Sequence, residues 1–140
     1  MKFDPNCIFC KIADKKIDTI IIYEDDDVMA FLDTNPVSYG HCLVISKEHY
    51  DSFLSAPKDI MNKVMNVAQR IGQVDMTSLG AKGVNILTNC YEAAGQSVKH
   101  FHVHVIPRYD APDGLKLEMN KYGNVNLPSV ADKLKNSLKK

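Results

Sequence analysis

The sequence predicts an α+β domain in which an antiparallel sheet is covered by one long helix. Three observations carry this. First, short β-branched and aromatic runs at residues 19–24, 28–33 and 41–46 are separated by turn-forming residues. Second, between residue 57 and about residue 79 the apolar spacing changes to steps of three and four, the period of a helix. Third, two more strand-like runs follow at 84–89 and 100–107. Strands grouped around a single helix, without βαβ alternation, favour antiparallel pairing.

Each element has its own signal. Residues 8–16 suit a short helix or an irregular turn carrying two cysteines. The acids Glu24, Asp25, Asp26 and Asp27 make a turn, so the strands on either side form a hairpin. Asn35-Pro36 and Ser38-Tyr39-Gly40 break the chain before the third strand. In the helix, Ile60, Met61, Val64, Met65, Ala68, Ile71 and Val74 form one apolar stripe, expected to pack on the sheet. Asp59 suits its dipole and Gly80 suits its end. Residues 90–96 read as a loop hinged at Gly95, and 111–114 as a turn. Residues 129–140 predict a terminal helix with a solvated lysine face.

Length and composition bound the function. At 140 residues the chain predicts one domain, 1–140, since domains commonly run to roughly 100–150 residues. Seventeen basic residues balance 17 acidic ones, which argues against a nucleic-acid-coating protein. Hydrophobic residues at 45% argue against global disorder. No apolar run approaches the roughly 20 residues of a membrane span, and the first residues lack a signal-peptide core. No membrane partner and a cytoplasmic location are the expectations. Of the four cysteines, Cys42 and Cys90 lie in apolar stretches and read as buried. Cys7-x-x-Cys10 reads as metal or redox, and no βαβ pattern follows to favour redox.

The chemistry concentrates in residues 95–108. Successive strand side chains alternate faces. His100, His102 and His104 therefore share one face, and Phe101, Val103 and Val105 enter the core behind them. Two readings compete. The histidines chelate a metal, although ends roughly 13 Å apart strain a shared site. Alternatively, one is a nucleophile: a neutral imidazole attacks phosphorus while its other nitrogen keeps a proton on a fixed acceptor. The central His102 is best placed for that. Gly95 permits close backbone approach, Gln96 and Ser97 offer donors, and Lys99 and Arg108 bring cations.

His100-Phe101-His102-Val103-His104-Val105-Ile106, with Gly95-Gln96-Ser97 ahead of it, resembles the signature of the histidine triad (HIT) nucleotide hydrolases. Tyr23-Glu24-Asp25-Asp26, Ala30-Phe31-Leu32-Asp33 and the run Gly40 to His49 resemble the first half of such proteins. The resemblance covers residues 7–108 and leaves 109–140 as a tail. It implies a HIT-like fold with a five-stranded antiparallel sheet.

The resemblance also implies roles. His102 would form a covalent nucleotidyl intermediate at the α-phosphorus, and water would then release a nucleoside monophosphate. His104 would meet the phosphate oxygens, His100 would orient His102, and Ser97 would assist the leaving group. Asn89, Gly95, Gln96, Ser97 and Val98 would hold the phosphate side, and Asp33 would accept the ribose hydroxyls. Phe9, Phe31, Leu32 and Leu43 would line the base pocket, with plain core as the alternative. Cys7, Cys10, His49 and His100 would bind structural zinc. The implied ligand is a purine nucleotide or its conjugate, with phosphoramidate and dinucleoside polyphosphate substrates both open. A regulatory nucleotide-binding module without turnover is the non-enzyme reading. Homodimers are common in the family, so a second copy is the implied partner.

Overall fold

The computed structural model describes residues 2–139. The chain runs α1 (Ile8–Ala13), β1 (Ile21–Glu24), β2 (Val28–Leu32), β3 (Cys42–Ser46), α2 (Lys58–Ser78), β4 (Gly83–Leu87), a 3-10 turn (Glu92–Ala94), β5 (His102–Arg108) and α3 (Leu127–Leu138). The strands form one sheet in the order β1-β2-β3-β5-β4. Every neighbouring pair is antiparallel. This is the α+β, five-stranded architecture that the residue patterns predict.

The sheet divides two apolar clusters. On one face Val28, Ala30, Cys42, Val44, Phe101, Val103 and Val105 pack against Ile60, Val64, Val67 and Ala68 of α2. On the other, Met29, Phe31, Leu43 and Ile45 meet Cys7, Phe9, Cys10 and Ile12 from the α1 segment. Fully burying one such aliphatic or aromatic side chain contributes about 1.5–3 kcal/mol. Both layers therefore hold the sheet, and β5 lies between them. The stripe on α2 packs as expected at Ile60, Val64 and Ala68, while Val74 is 54% exposed. Gly80 follows α2 at φ +72°, in the left-handed conformation expected of the residue after a helix end.

Several boundaries differ from the sequence expectation. β5 begins at His102, so His100 precedes the strand. The N–H groups of His100 and Phe101 donate to the carbonyls of Val98 (2.9 Å) and Tyr50 (2.7 Å). These bonds bend the chain before the ladder starts. β4 ends at Leu87, and Thr88 Oγ1 instead donates to the His102 carbonyl at 2.8 Å. β1 begins at Ile21. α1 stops at Ala13, with Lys15 at φ +61° just beyond. α3 starts at Leu127 because the Asn126 side chain accepts from Ser129 N–H at 3.1 Å and caps it. Residue 140, included in the expected terminal helix, lies outside the described residues.

Candidate active site and metal centre

Alternation along β3 and β5 builds the site. Leu43 lies opposite His104 and Ile45 opposite His102. All four face the α1 segment. Phe9 stands edge-on to His102, ring centroids 5.0 Å apart, and edge-on to Phe31 at 5.7 Å. Val98 joins the same cluster.

Hydrogen bonds assign the tautomers. His102 Nδ1 lies 2.6 Å from the His100 carbonyl, an acceptor only, so Nδ1 carries the proton. That leaves Nε2 as a bare lone pair. Burial pushes the His102 imidazole below its ordinary value of 6.5, which keeps the ring neutral near pH 7. His104 is tied differently. Val37 N–H donates to His41 Nδ1 at 3.1 Å, so the His41 proton sits on Nε2. His41 Nε2 lies 3.0 Å from His104 Nδ1 and donates to it. Asp33 Oδ2 is 3.7 Å from the same His41 nitrogen, too far to compete. The His104 proton is therefore on Nε2, available as a donor. Burial pushes His104 down to about 4.

The loop between β4 and β5 leads into the strand that carries His102 and His104. An open cleft of about 770 Å³ is lined by Tyr91, Gly95, Gln96, Ser97 and Lys99. Gly95 sits at φ +93°, a conformation that costs a side-chain-bearing residue. Asn89 Nδ2 reaches the Gly95 carbonyl at 3.4 Å. Gln96 Nε2 donates to the Asp51 carbonyl at 2.6 Å, and its Oε1 accepts from Tyr91 N–H at 2.7 Å. One Nε2 proton of Gln96 remains for another acceptor.

A second cluster adjoins the first. The donor atoms of Cys7, Cys10, His49 and His100 all lie within 4.8 Å of one another. His100 Nδ1 is 3.3 Å from Cys7 Sγ and 3.5 Å from Cys10 Sγ, and His49 Nδ1 is 3.3 Å from Cys10 Sγ. A tetrahedral zinc with Zn–S of about 2.3 Å and Zn–N of about 2.0 Å has S–N edges of about 3.5 Å. The tautomers also fit a cation. His100 Nε2 donates to the Ser46 carbonyl at 2.7 Å and His49 Nε2 donates to Asp51 Oδ1 at 3.1 Å. Both rings thus turn an unprotonated Nδ1 towards the sulfurs, with the outer acceptors typical of metal-binding histidines. Burial raises the Cys10 thiol to about 11, and a bound dication supplies the charge that keeps such sulfurs ionised. This group can hold a metal ion.

Not every expected residue comes to the site. Leu32 points to the α2 face, opposite Phe31, and packs there. Phe9 (7% exposed), Phe31 (3%) and Leu43 (6%) form a closed cluster beneath the histidines. Arg108 lies at the far end of β5, bound to Asp113 at 2.7 Å and to Asn85 at 2.7 Å, so it brings no cation to His102. Asp33 is close to His41, and its Oδ1 accepts from Asn35 N–H at 2.8 Å. His41 and Asp51 had no role assigned from the sequence. The alternation that pairs Leu43 with the triad face also puts His41 there, so that signal was present.

The HIT domain model matches residues 14–111. The chain belongs to the HIT family. An uncharacterized HIT-like protein of Methanocaldococcus jannaschii is 40% identical over 129 residues, covering 92% of this chain and 98% of that one. The crystal structure of a HIT family protein from Bacillus anthracis superposes with a TM-score of 0.86 at 39% identity, covering 95% and 97%. The adenylylsulfatase HINT3 of Arabidopsis thaliana is 37% identical over 103 residues, covering 74% of this HIT chain and 52% of that protein. Among the described residues of this HIT protein, no helix is long and apolar enough to cross a membrane.

Proposed function

We propose that this HIT protein hydrolyses purine nucleotide conjugates at the α-phosphate through a covalent intermediate on His102. One observation carries the reading: the His100 carbonyl holds the proton of His102 on Nδ1 and leaves Nε2 free to attack. Nε2 forms a bond to the α-phosphorus as the bond to the leaving group breaks. Ser97 supplies the proton that the leaving group takes up. Water then attacks phosphorus and returns a proton to Ser97, the P–N bond breaks with its electron pair going back to His102 Nε2, and a nucleoside monophosphate departs. His104 Nε2–H donates to the phosphoryl oxygens, where charge develops. Phe9, Phe31 and Leu43 form the apolar floor for the base, Asp33 takes the ribose hydroxyls, and residues 95–98 with Asn89 cradle the phosphate.

An amine or another small leaving group is the favoured class. The relative named adenylylsulfatase supports it, since adenylyl sulfate joins an adenylyl group to a non-nucleotide. Zinc at Cys7, Cys10, His49 and His100 supplies structural cross-linking, because four protein ligands leave no open position. We further propose that the protein works as one domain over 1–140, as a cytoplasmic homodimer without nucleic acid.

The test is a quenched incubation with adenosine phosphoramidate and, separately, diadenosine tetraphosphate, with a mass spectrum of the protein. AMP release and an AMP-mass adduct are expected, both lost in His102→Asn. AMP from the tetraphosphate alone would reassign the leaving group. No AMP from either, with tight AMP binding kept, would make the protein a binding module.

A further inference from the structure

The segment after β3 touches both the metal cluster and the phosphate-side loop. His49 enters the cluster through Nδ1, 3.3 Å from Cys10 Sγ, and its Nε2 donates to Asp51 Oδ1 at 3.1 Å. The backbone carbonyl of the same Asp51 accepts from Gln96 Nε2 at 2.6 Å. Gln96 Oε1 in turn accepts from Tyr91 N–H at 2.7 Å, and Gln96 N–H donates to the Tyr91 carbonyl at 3.1 Å. Tyr91 sits at φ +72°, a conformation of order 1–3 kcal/mol above the usual ones for a residue with a side chain. Such a residue stays put only when its surroundings hold it. Gln96 holds it from both its backbone and its side chain, beside a bond from Ala94 N–H to the Tyr91 carbonyl at 3.1 Å, and the Asp51 carbonyl holds Gln96. One residue earlier, the Tyr50 carbonyl accepts from Phe101 N–H at 2.7 Å, which pins the far end of the loop.

Asp51 Oδ2 also lies 3.9 Å from Lys99 Nζ. Both side chains are exposed, so that ion pair is weak. The hydrogen bonds through His49 and Gln96 carry the argument.

We infer that Asp51 is a positioning residue that couples metal occupancy of the Cys/His cluster to the geometry of residues 91–97. The inference deepens the proposed function, on which it rests for the role of that loop. A cation on His49 Nδ1 fixes the ring and strengthens Nε2–H as a donor to Asp51. Asp51, held in place, presents its carbonyl to Gln96. The loop is then preorganised for a phosphate. With the cluster empty, the His49 ring is free to turn, Asp51 is released, and the loop loosens. The cluster thereby sets substrate affinity as well as stability.

The experiment uses the full chain, zinc-loaded and zinc-stripped, as wild type, Asp51→Ala and Asp51→Asn. Zinc affinity is read by competition with a chromophoric chelator, and loop order by amide hydrogen exchange at residues 91–97. Asp51→Ala is expected to bind zinc at least tenfold more weakly, in line with the roughly 10–100-fold effect of losing an outer acceptor. Asp51→Asn keeps an acceptor oxygen and is expected to recover most of that affinity. Stripping zinc is expected to speed exchange at 91–97 in wild type and to leave it nearly unchanged in Asp51→Ala, where it is already fast. With adenosine phosphoramidate, Asp51→Ala is expected to raise KM more than it lowers kcat. Wild-type zinc affinity in Asp51→Ala overturns the inference. So does a loop whose exchange ignores zinc in wild type, a result available even if the alanine variant fails to fold. Failure of the hydrolase reading shows separately, as absent AMP release from zinc-loaded wild type.

Discussion

His41 Nε2 lies 3.0 Å from His104 Nδ1, and Val37 N–H fixes the direction of that bond from the far side of the His41 ring. A backbone amide thus decides which nitrogen of His104 carries its proton, two rings away. His41→Phe removes the donor and frees the His104 tautomer. The expected outcome is a fall in kcat of roughly 100-fold, the low end of what losing one preorganised donor to the developing charge costs. AMP affinity is expected to change less. Steady-state kinetics and calorimetric titration of AMP check this, and unchanged kcat with a raised KM would make His41 a binding residue only.

The pH profile follows from burial. Burial holds His102 below 6.5, and its neutral form is the proposed nucleophile. Turnover is expected to stay flat from about pH 8 to 6.5 and to fall only on the acid side of that value. A midpoint above 7 in kcat/KM would contradict a buried neutral His102.

Stability shares the direction. His104 is near 4 when folded and 6.5 when exposed. Between those values the unfolded chain binds more protons, so stability falls as pH drops from 6.5 towards 4 and levels off below. Thermal melts across that window check the sign, and His104→Gln should flatten part of the slope.

Metal removal should act on the fold first. On the proposed reading of a zinc closed by four protein ligands, chelation by EDTA is expected to lower Tm before it abolishes AMP release from adenosine phosphoramidate. Cys10→Ser should lose stoichiometric zinc by elemental analysis. Prompt, reversible loss of activity at unchanged Tm would instead mean a metal acting in the chemistry.

Gly40 is the tightest glycine in the fold. It holds φ +94°, and a Cβ there would meet Leu79 Cδ1 at 2.6 Å and Pro107 Cγ at 3.2 Å. Gly40→Ala is expected to cost about 1–3 kcal/mol, the usual range for backbone strain of this kind. Because His41 is the next residue, kcat should fall as well. Denaturant melts and kinetics on the same sample separate the two effects.

The elements with strong periodicity were legible. The three-and-four spacing of Ile60, Val64 and Ala68 announces α2, and the alternation from Phe101 to Val105 announces β5. Cys7-x-x-Cys10 announces a metal or redox pair, and the histidines that join it, His49 and His100, follow from the family resemblance. What was not legible depends on contacts distant in sequence. The bend that removes His100 from β5 comes with the bond from Phe101 N–H to the carbonyl of Tyr50, 51 residues before Phe101. The link from Gln96 to the Asp51 carbonyl involves a backbone atom, which leaves no mark on residue type. Leu32 was misplaced for a simpler reason: its neighbour Phe31 already occupied the triad face, and alternation sends the next residue to the other side.

That alternation has a consequence for how the protein can change. In β3 and β5, Cys42, Val44, Val103 and Val105 face α2, whereas Leu43, Ile45, His102 and His104 face the histidine cluster. Neighbouring codons therefore govern different properties. Substitutions at the first set tune folding with little reach into the chemistry, and substitutions at the second tune the pocket with little reach into the α2 core. Phe31, Leu43 and Ile45 are themselves buried in the second cluster, so a library at these positions would reshape the layer beneath the histidines at a cost in stability while leaving the α2 core in place.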